Sequence, residues 1–194
     1  MTVKLTRTAA AAAVASALIM LSPAGLAATG GGAAWAQNWV HPETIAPCMW
    51  NAAPAAARNR FLALPDLDSA IDGAAMIIES DADLSSILDR CGVPARNTPD
   101  AGELFGAYSL WMWVEGKLSG RWSAATLDGA YGRLSEADLA ALDGDDENAA
   151  AGPALERFKT DLGAGQIDAD TVILLRAYVL ARIFYALELD LFGS

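Results

Sequence analysis

The sequence predicts an all-α, single-domain protein: an irregular bundle of seven or eight helices, some very short, around two apolar central ones. Three observations carry this. Strand-type alternation is nearly absent, and β-branched residues seldom cluster, the Val172-Ile173 pair lying inside a helical pattern. Caps and breakers recur at helix-length intervals. Two long runs, Leu104 to Val114 and Val172 to Leu187, are apolar almost throughout: the first has no charged residue, the second only Arg176 and Arg182. With 54% hydrophobic residues, a chain of 194 has enough apolar surface for one sizeable core.

Residues 1–27 read as a secretory signal peptide. Lys4 and Arg7 form a basic start, Ala9 to Leu21 an apolar run, and Gly25-Leu26-Ala27 a small-x-small cleavage site. Ala34-Trp35-Ala36 offers a second site. Thirteen residues, apolar except for Ser16, are too few to span a bilayer, and no Cys follows closely to carry a lipid. Removing this segment leaves 11 Lys+Arg against 24 Asp+Glu, net −13. Such a chain repels nucleic-acid phosphates and anionic membrane surfaces. The expected location is therefore the periplasm or the exterior of the cell.

In an oxidising compartment Cys48 and Cys91 are expected to bond. Neither has the Cys-x-x-Cys spacing of a redox pair. A loop of 43 residues, the spacing from 48 to 91, implies about 4 kcal/mol of stabilisation from chain entropy.

The remaining elements follow in order. Residues 28–37 read as a flexible leader before an all-α domain over 38–194. Trp39 to Asn51 is expected to be irregular, with Pro42 and Pro47 limiting any helix to a turn or two. A helix from Pro54 stops at Pro65. Asp68 is the expected cap of a helix through Ile78, and Asp83 of one ending at Gly92. Thr98-Pro99 opens the long helix to Leu118. Ser123 to Arg133 is helical but weakened by Gly129 and Gly132. Ser135 and Asp138 suggest a capping box. A helix around Pro153 ends at Gly163, and Asp170 caps the last one.

The charges on the central helices mark a candidate buried polar site. Glu115 falls on the stripe of Leu104, Tyr108, Trp111 and Leu118, while Arg176 lies with Val172, Leu180 and Ile183. A buried Arg left alone is costly, so Glu115 is expected to meet Arg176 or Arg182 inside the core. The site so defined comprises Glu115, Arg176, Arg182, Tyr108 and Trp111. It reads either as an internal ion pair or as a polar site for an anionic or sugar ligand.

Other chemistry finds little support. His41 is the single His, and no G-x-S-x-G occurs, so no triad and no transition-metal site is expected. The acidic run Asp143 to Asn148 lacks the Gly and the closing acid of a Ca²⁺ loop. Gly102 and Gly106 have a close-packing spacing that is nonspecific outside membranes. There is no phosphate-cradling or dinucleotide motif, and no cofactor is expected. Trp122, beside Arg121 in a turn, is the Trp expected to be exposed for binding.

The chain is thus expected to be an exported, noncatalytic binding or interaction module whose partner is a protein or small molecule of the cell envelope. The alternative is a hydrolase of envelope glycans, which needs only two carboxylates. An apolar-ligand carrier is a third reading and requires a cavity between the central helices.

Overall fold

The computed structural model describes residues 41–78, 81–94, 98–144 and 151–192. The expected signal segment, the leader and Asp145 to Asn148 of the acidic run lie outside them. The described residues form nine α-helices and no strand: α1 (Pro42–Ala52), α2 (Ala55–Leu62), α3 (Leu67–Gly73), α4 (Asp81–Arg90), α5 (Thr98–Leu118), α6 (Ala124–Tyr131), α7 (Glu136–Asp143), α8 (Ala151–Asp161) and α9 (Ala169–Phe192). A short 3-10 helix, Ala74–Ile77, follows α3. The all-α expectation holds, and the two apolar runs are α5 and α9.

These two helices form the most extensive contact in the fold. They run antiparallel, because Tyr108 of α5 meets Tyr185 of α9, whereas Trp111, further along α5, meets Arg182, further back in α9. Their apolar runs explain the arrangement: a helix with no polar stripe can satisfy its surface only by burial. Leu104, Trp113, Val114 and Leu118 from α5, with Leu175, Tyr178 and Val179 from α9, are buried in one core. Ile45 and Met49 of α1, Ile87 of α4, Leu127 of α6, Leu142 of α7 and Phe158 of α8 close around it.

The segment before Ala53 departs from expectation. It is an eleven-residue helix, α1, not an irregular strap. Pro42 sits in the first turn, where a missing N–H costs nothing. Pro47 is internal and removes the helical donor to the Glu43 carbonyl, but the Tyr185 hydroxyl of α9 donates to that carbonyl at 3.2 Å. Three further ties hold the end of α1. Arg58 donates to the Trp50 carbonyl and Arg90 to that of Ala52, while Cys48 is bonded to Cys91.

Caps set most helix ends. Ser123 accepts from the Thr126 N–H, and Ser135 with Asp138 forms the expected capping box. Gly92 and Gly163 take positive φ, 68° and 62°. After Gly92, Val93 N–H reaches Leu88 O; after Gly163, Ala164 N–H reaches Lys159 O, both in Schellman fashion. Two caps differ from the sequence reading. Asp66, not Asp68, accepts from Ser69 N–H, and Asp168, not Asp170, accepts from Thr171 N–H. Likewise α4 begins at Asp81 and not at Asp83.

Candidate functional site

Arg182 occupies the middle of a half-buried aromatic and acidic cluster where α5, α6 and α9 meet. Its guanidinium carbon lies 4.0 Å from the Trp111 ring centre and 4.6 Å from that of Tyr131. It forms an ion pair with Asp128 of α6 and donates to the Tyr178 hydroxyl, which in turn donates to Asp128 at 2.8 Å. A planar guanidinium suits this position because it can stack between rings while its edge donates. Its side chain is only 19% exposed.

Glu115 lies beside this cluster without joining the ion pair. It accepts from the Trp111 indole N–H, one turn back, at 3.1 Å. Burial raises its pKa above the ordinary carboxyl value; the indole hydrogen bond and the nearby Arg182 charge oppose that, and Asp128 adds to it. Tyr108 stacks edge-on against Trp111, with centroids 5.4 Å apart, and Tyr185 lies 5.6 Å from both. Burial raises the Tyr108 hydroxyl pKa and pushes Tyr185 up to about 12. Both therefore stay neutral at physiological pH.

The expected meeting of Glu115 with an Arg is corrected by this geometry: Asp128 takes Arg182. Arg176 is carried away from the cluster and donates to the carbonyl of Gly144, at the C-terminal end of α7, where a cation is favoured. Of the five expected site residues, Tyr108, Trp111, Glu115 and Arg182 come together and Arg176 does not. The residues missed are Asp128, Tyr131, Tyr178 and Tyr185. The last two lie in the α9 run, whose pattern signals only core; Asp128 sits beside Gly129 on a helix with no clear apolar stripe.

Two other Trp serve as anchors, which corrects the expectation for Trp122. Trp113 is buried and donates to the Leu64 carbonyl, so it anchors the end of α2. Trp122 is half-buried and donates to the Leu162 carbonyl, so it ties its turn to the end of α8 instead of standing free for binding.

A second feature lies between α2 and the 3-10 helix. It is a cleft of about 600 Å³ lined by Ala57, Arg60, Phe61, Leu64, Gly73, Met76 and Ile78. Six of the seven are apolar or glycine. Met76 is 61% exposed at its mouth. Gly73 forms part of its wall: a Cβ there would stand 2.6 Å from Leu64 Cδ1 and 3.3 Å from Met76 Cε. No periodicity announced this cleft, because it arises where α3 gives way to a tighter 3-10 turn.

Among the described residues, no group of three His, Cys, Asp or Glu side chains is placed to hold a metal ion. None of the described helices is long and apolar enough to cross a membrane. Compared with known protein families, curated proteins and solved structures, the chain matches none.

Proposed function

We propose that the protein is an exported, noncatalytic binding module of the cell envelope that takes a small apolar ligand in the cleft between α2 and the 3-10 helix. Export is supported by the three-part N-terminal signal pattern and by a disulfide that suits an oxidising compartment. The observation that carries the binding reading is the cleft itself. Its volume of about 600 Å³ falls within the range of small-molecule sites, and among the described residues its lining is apolar except for Arg60.

The Arg182 cluster supports the reading by contrast. Its charges are engaged with one another, so it braces three helices rather than presenting open donors to a ligand. The cleft offers concave apolar surface instead.

The test uses the neutral fluorophore N-phenyl-1-naphthylamine, which brightens in apolar surroundings. The full mature protein is expected to bind it saturably, and Met76→Asp to weaken binding at least tenfold. Met76 is exposed, so this change leaves the fold intact. Gly73→Ala, which pushes Leu64 and Met76 into the cleft, should weaken binding as well. Equal binding by wild type and Met76→Asp would overturn the proposal.

One observation favours the hydrolase as a second reading: Glu115 has a raised pKa beside the half-exposed Asp128. Release of reducing ends from envelope glycans, abolished in both Glu115→Gln and Asp128→Asn, would replace the binding proposal with this one.

A further inference from the structure

Resting on the cleft as a ligand site, we infer that Met76 is a reversible oxidation site at its mouth: a peroxide-class oxidant converts the thioether to the sulfoxide, and the cleft then releases its apolar ligand. Three of the five Met lie beyond the expected signal segment, and burial sorts them. Met49 is fully buried in the core, Met112 is half-buried, and Met76 is 61% exposed. An oxidant must reach the sulfur to react, so Met76 is the one that the fold offers. The proposed location, outside the reducing cytosol, is where such oxidants are met first.

The step balances with the peroxide as its co-reactant. A sulfur lone pair attacks one peroxide oxygen, and the S–O bond forms as the O–O bond breaks. Sulfur gives up two electrons and the peroxide is reduced to water, the proton of the transferred hydroxyl passing to the departing hydroxide. The consequence follows from where Met76 sits. It lines the cleft with Phe61, Leu64 and Gly73, and its terminal methyl comes within 3.3 Å of the Cβ position at Gly73. The sulfur is one bond from that methyl. Oxidation therefore puts a strong acceptor beside the apolar wall, where giving up water is costly. A side chain that adapts to an irregular apolar occupant becomes a polar, chiral one. Methionine sulfoxide reductases restore the thioether, so the change can run both ways.

The experiment treats the full mature protein with hydrogen peroxide, then reads tryptic peptides by mass spectrometry and naphthylamine binding by fluorescence. Cleavage after Arg58, Arg60, Arg90, Arg96 and Lys117 puts each of the three Met in a separate peptide. Met76 should oxidise about tenfold faster than Met49, with Met112 between them, and all three at similar rates once urea unfolds the chain. Fluorophore binding should weaken about tenfold in step with Met76 sulfoxide, and return on treatment with the reductases. Met76→Leu keeps an apolar side chain without the sulfur, so it should bind as wild type does and be insensitive to peroxide. If Met76 oxidises no faster than Met49, the site assignment is overturned. If peroxide weakens binding equally in Met76→Leu, another residue carries the effect and the assignment is overturned too. If Met76 oxidises first and binding does not change, the switch fails while the cleft reading stands. If the untreated protein does not bind the fluorophore, the cleft reading fails and the switch with it.

Discussion

The Tyr185 hydroxyl of α9 donates to the main-chain carbonyl of Glu43 in α1, the carbonyl that Pro47 leaves without a helical donor. An internal proline normally ends a helix because it removes one bond and crowds the carbonyl four residues back. Here a side chain 142 residues away replaces the missing donor. Its pKa, pushed up to about 12 chiefly by burial, keeps the proton on the hydroxyl.

This relationship sets the first expected outcome. Tyr185→Phe keeps the ring contacts with Tyr108 and Trp111 but loses the bond, and should cost about 1 kcal/mol or less. In a Pro47→Ala background the restored main-chain N–H supplies the donor, so the same change should cost less than half as much. Urea midpoints of the four proteins complete the cycle. Equal costs in both backgrounds would show that the hydroxyl does not serve the Pro47 gap.

The Cys48–Cys91 bond ties α1 to the end of α4, with a Cα–Cα separation of 5.8 Å. Thiol titration of the unfolded, unreduced protein should find no free sulfhydryl. The Cys48→Ala/Cys91→Ala double variant should lose about 2–4 kcal/mol of stability, mostly through the greater freedom of its unfolded chain. Two titratable thiols, or an unchanged midpoint, would remove the disulfide from the account of stability.

Arg182 should be coupled to Asp128 and not to Glu115. Arg182→Ala removes the stacked guanidinium from between Trp111 and Tyr131 and leaves Asp128 with one fewer donor, at a cost of about 2–3 kcal/mol. Arg182→Lys keeps the charge but loses the planar stack and fork, and should recover less than half of that. A double-mutant cycle with Asp128→Ala should show a coupling of about 1 kcal/mol or more, and one with Glu115→Ala a smaller value. The reverse order would restore Glu115 as the true partner.

How far these relationships were legible in the sequence differs by element, for physical reasons. α5 and α9 were legible because eleven consecutive residues without a charge in the first, and a run broken only by Arg176 and Arg182 in the second, admit few alternatives to burial. The capping box at Ser135 and the ends at Gly92 and Gly163 were legible because one residue type does one local job there. Asp66 against Asp68, and Asp168 against Asp170, were not. Each pair offers the same carboxylate two residues apart, and only the local turn decides which one reaches the third N–H. α1 was hidden because the remedy for Pro47 comes from the far end of the chain. The Arg182 cluster was half visible: the wheel placed Glu115, Tyr108 and Trp111 together, but the short α6 that delivers Asp128 carries no strong periodicity to orient it.

Acid should act on the fold in two opposed stages. Burial raises the pKa of Glu115, and burial with the neighbouring Glu103 and Asp100 carboxylates raises that of Glu188. A carboxyl whose pKa is higher when folded holds its proton better in the native state, so stability should rise as pH falls through those raised values toward the ordinary range. The opposite holds for two caps. Hydrogen bonds from Arg157, and then from Ser135, hold Asp138 at about 2, and the Thr171 N–H, helped by its hydroxyl, holds Asp168 at about 2, both below their ordinary 3.8. A depressed carboxyl contributes stability that is present above about pH 4 and lost as pH falls toward 2. Urea midpoints at intervals from pH 7 to pH 2 should therefore climb or hold steady at first, then fall below pH 4. Glu115→Gln keeps an acceptor for the Trp111 indole and should reduce the early rise. Asp138→Asn and Asp168→Asn should each lower stability at pH 6 and soften the late fall, because an amide cannot lose its charge on acidification. A steep late fall that survives in both Asn variants would show that these two helix starts are not where acid acts.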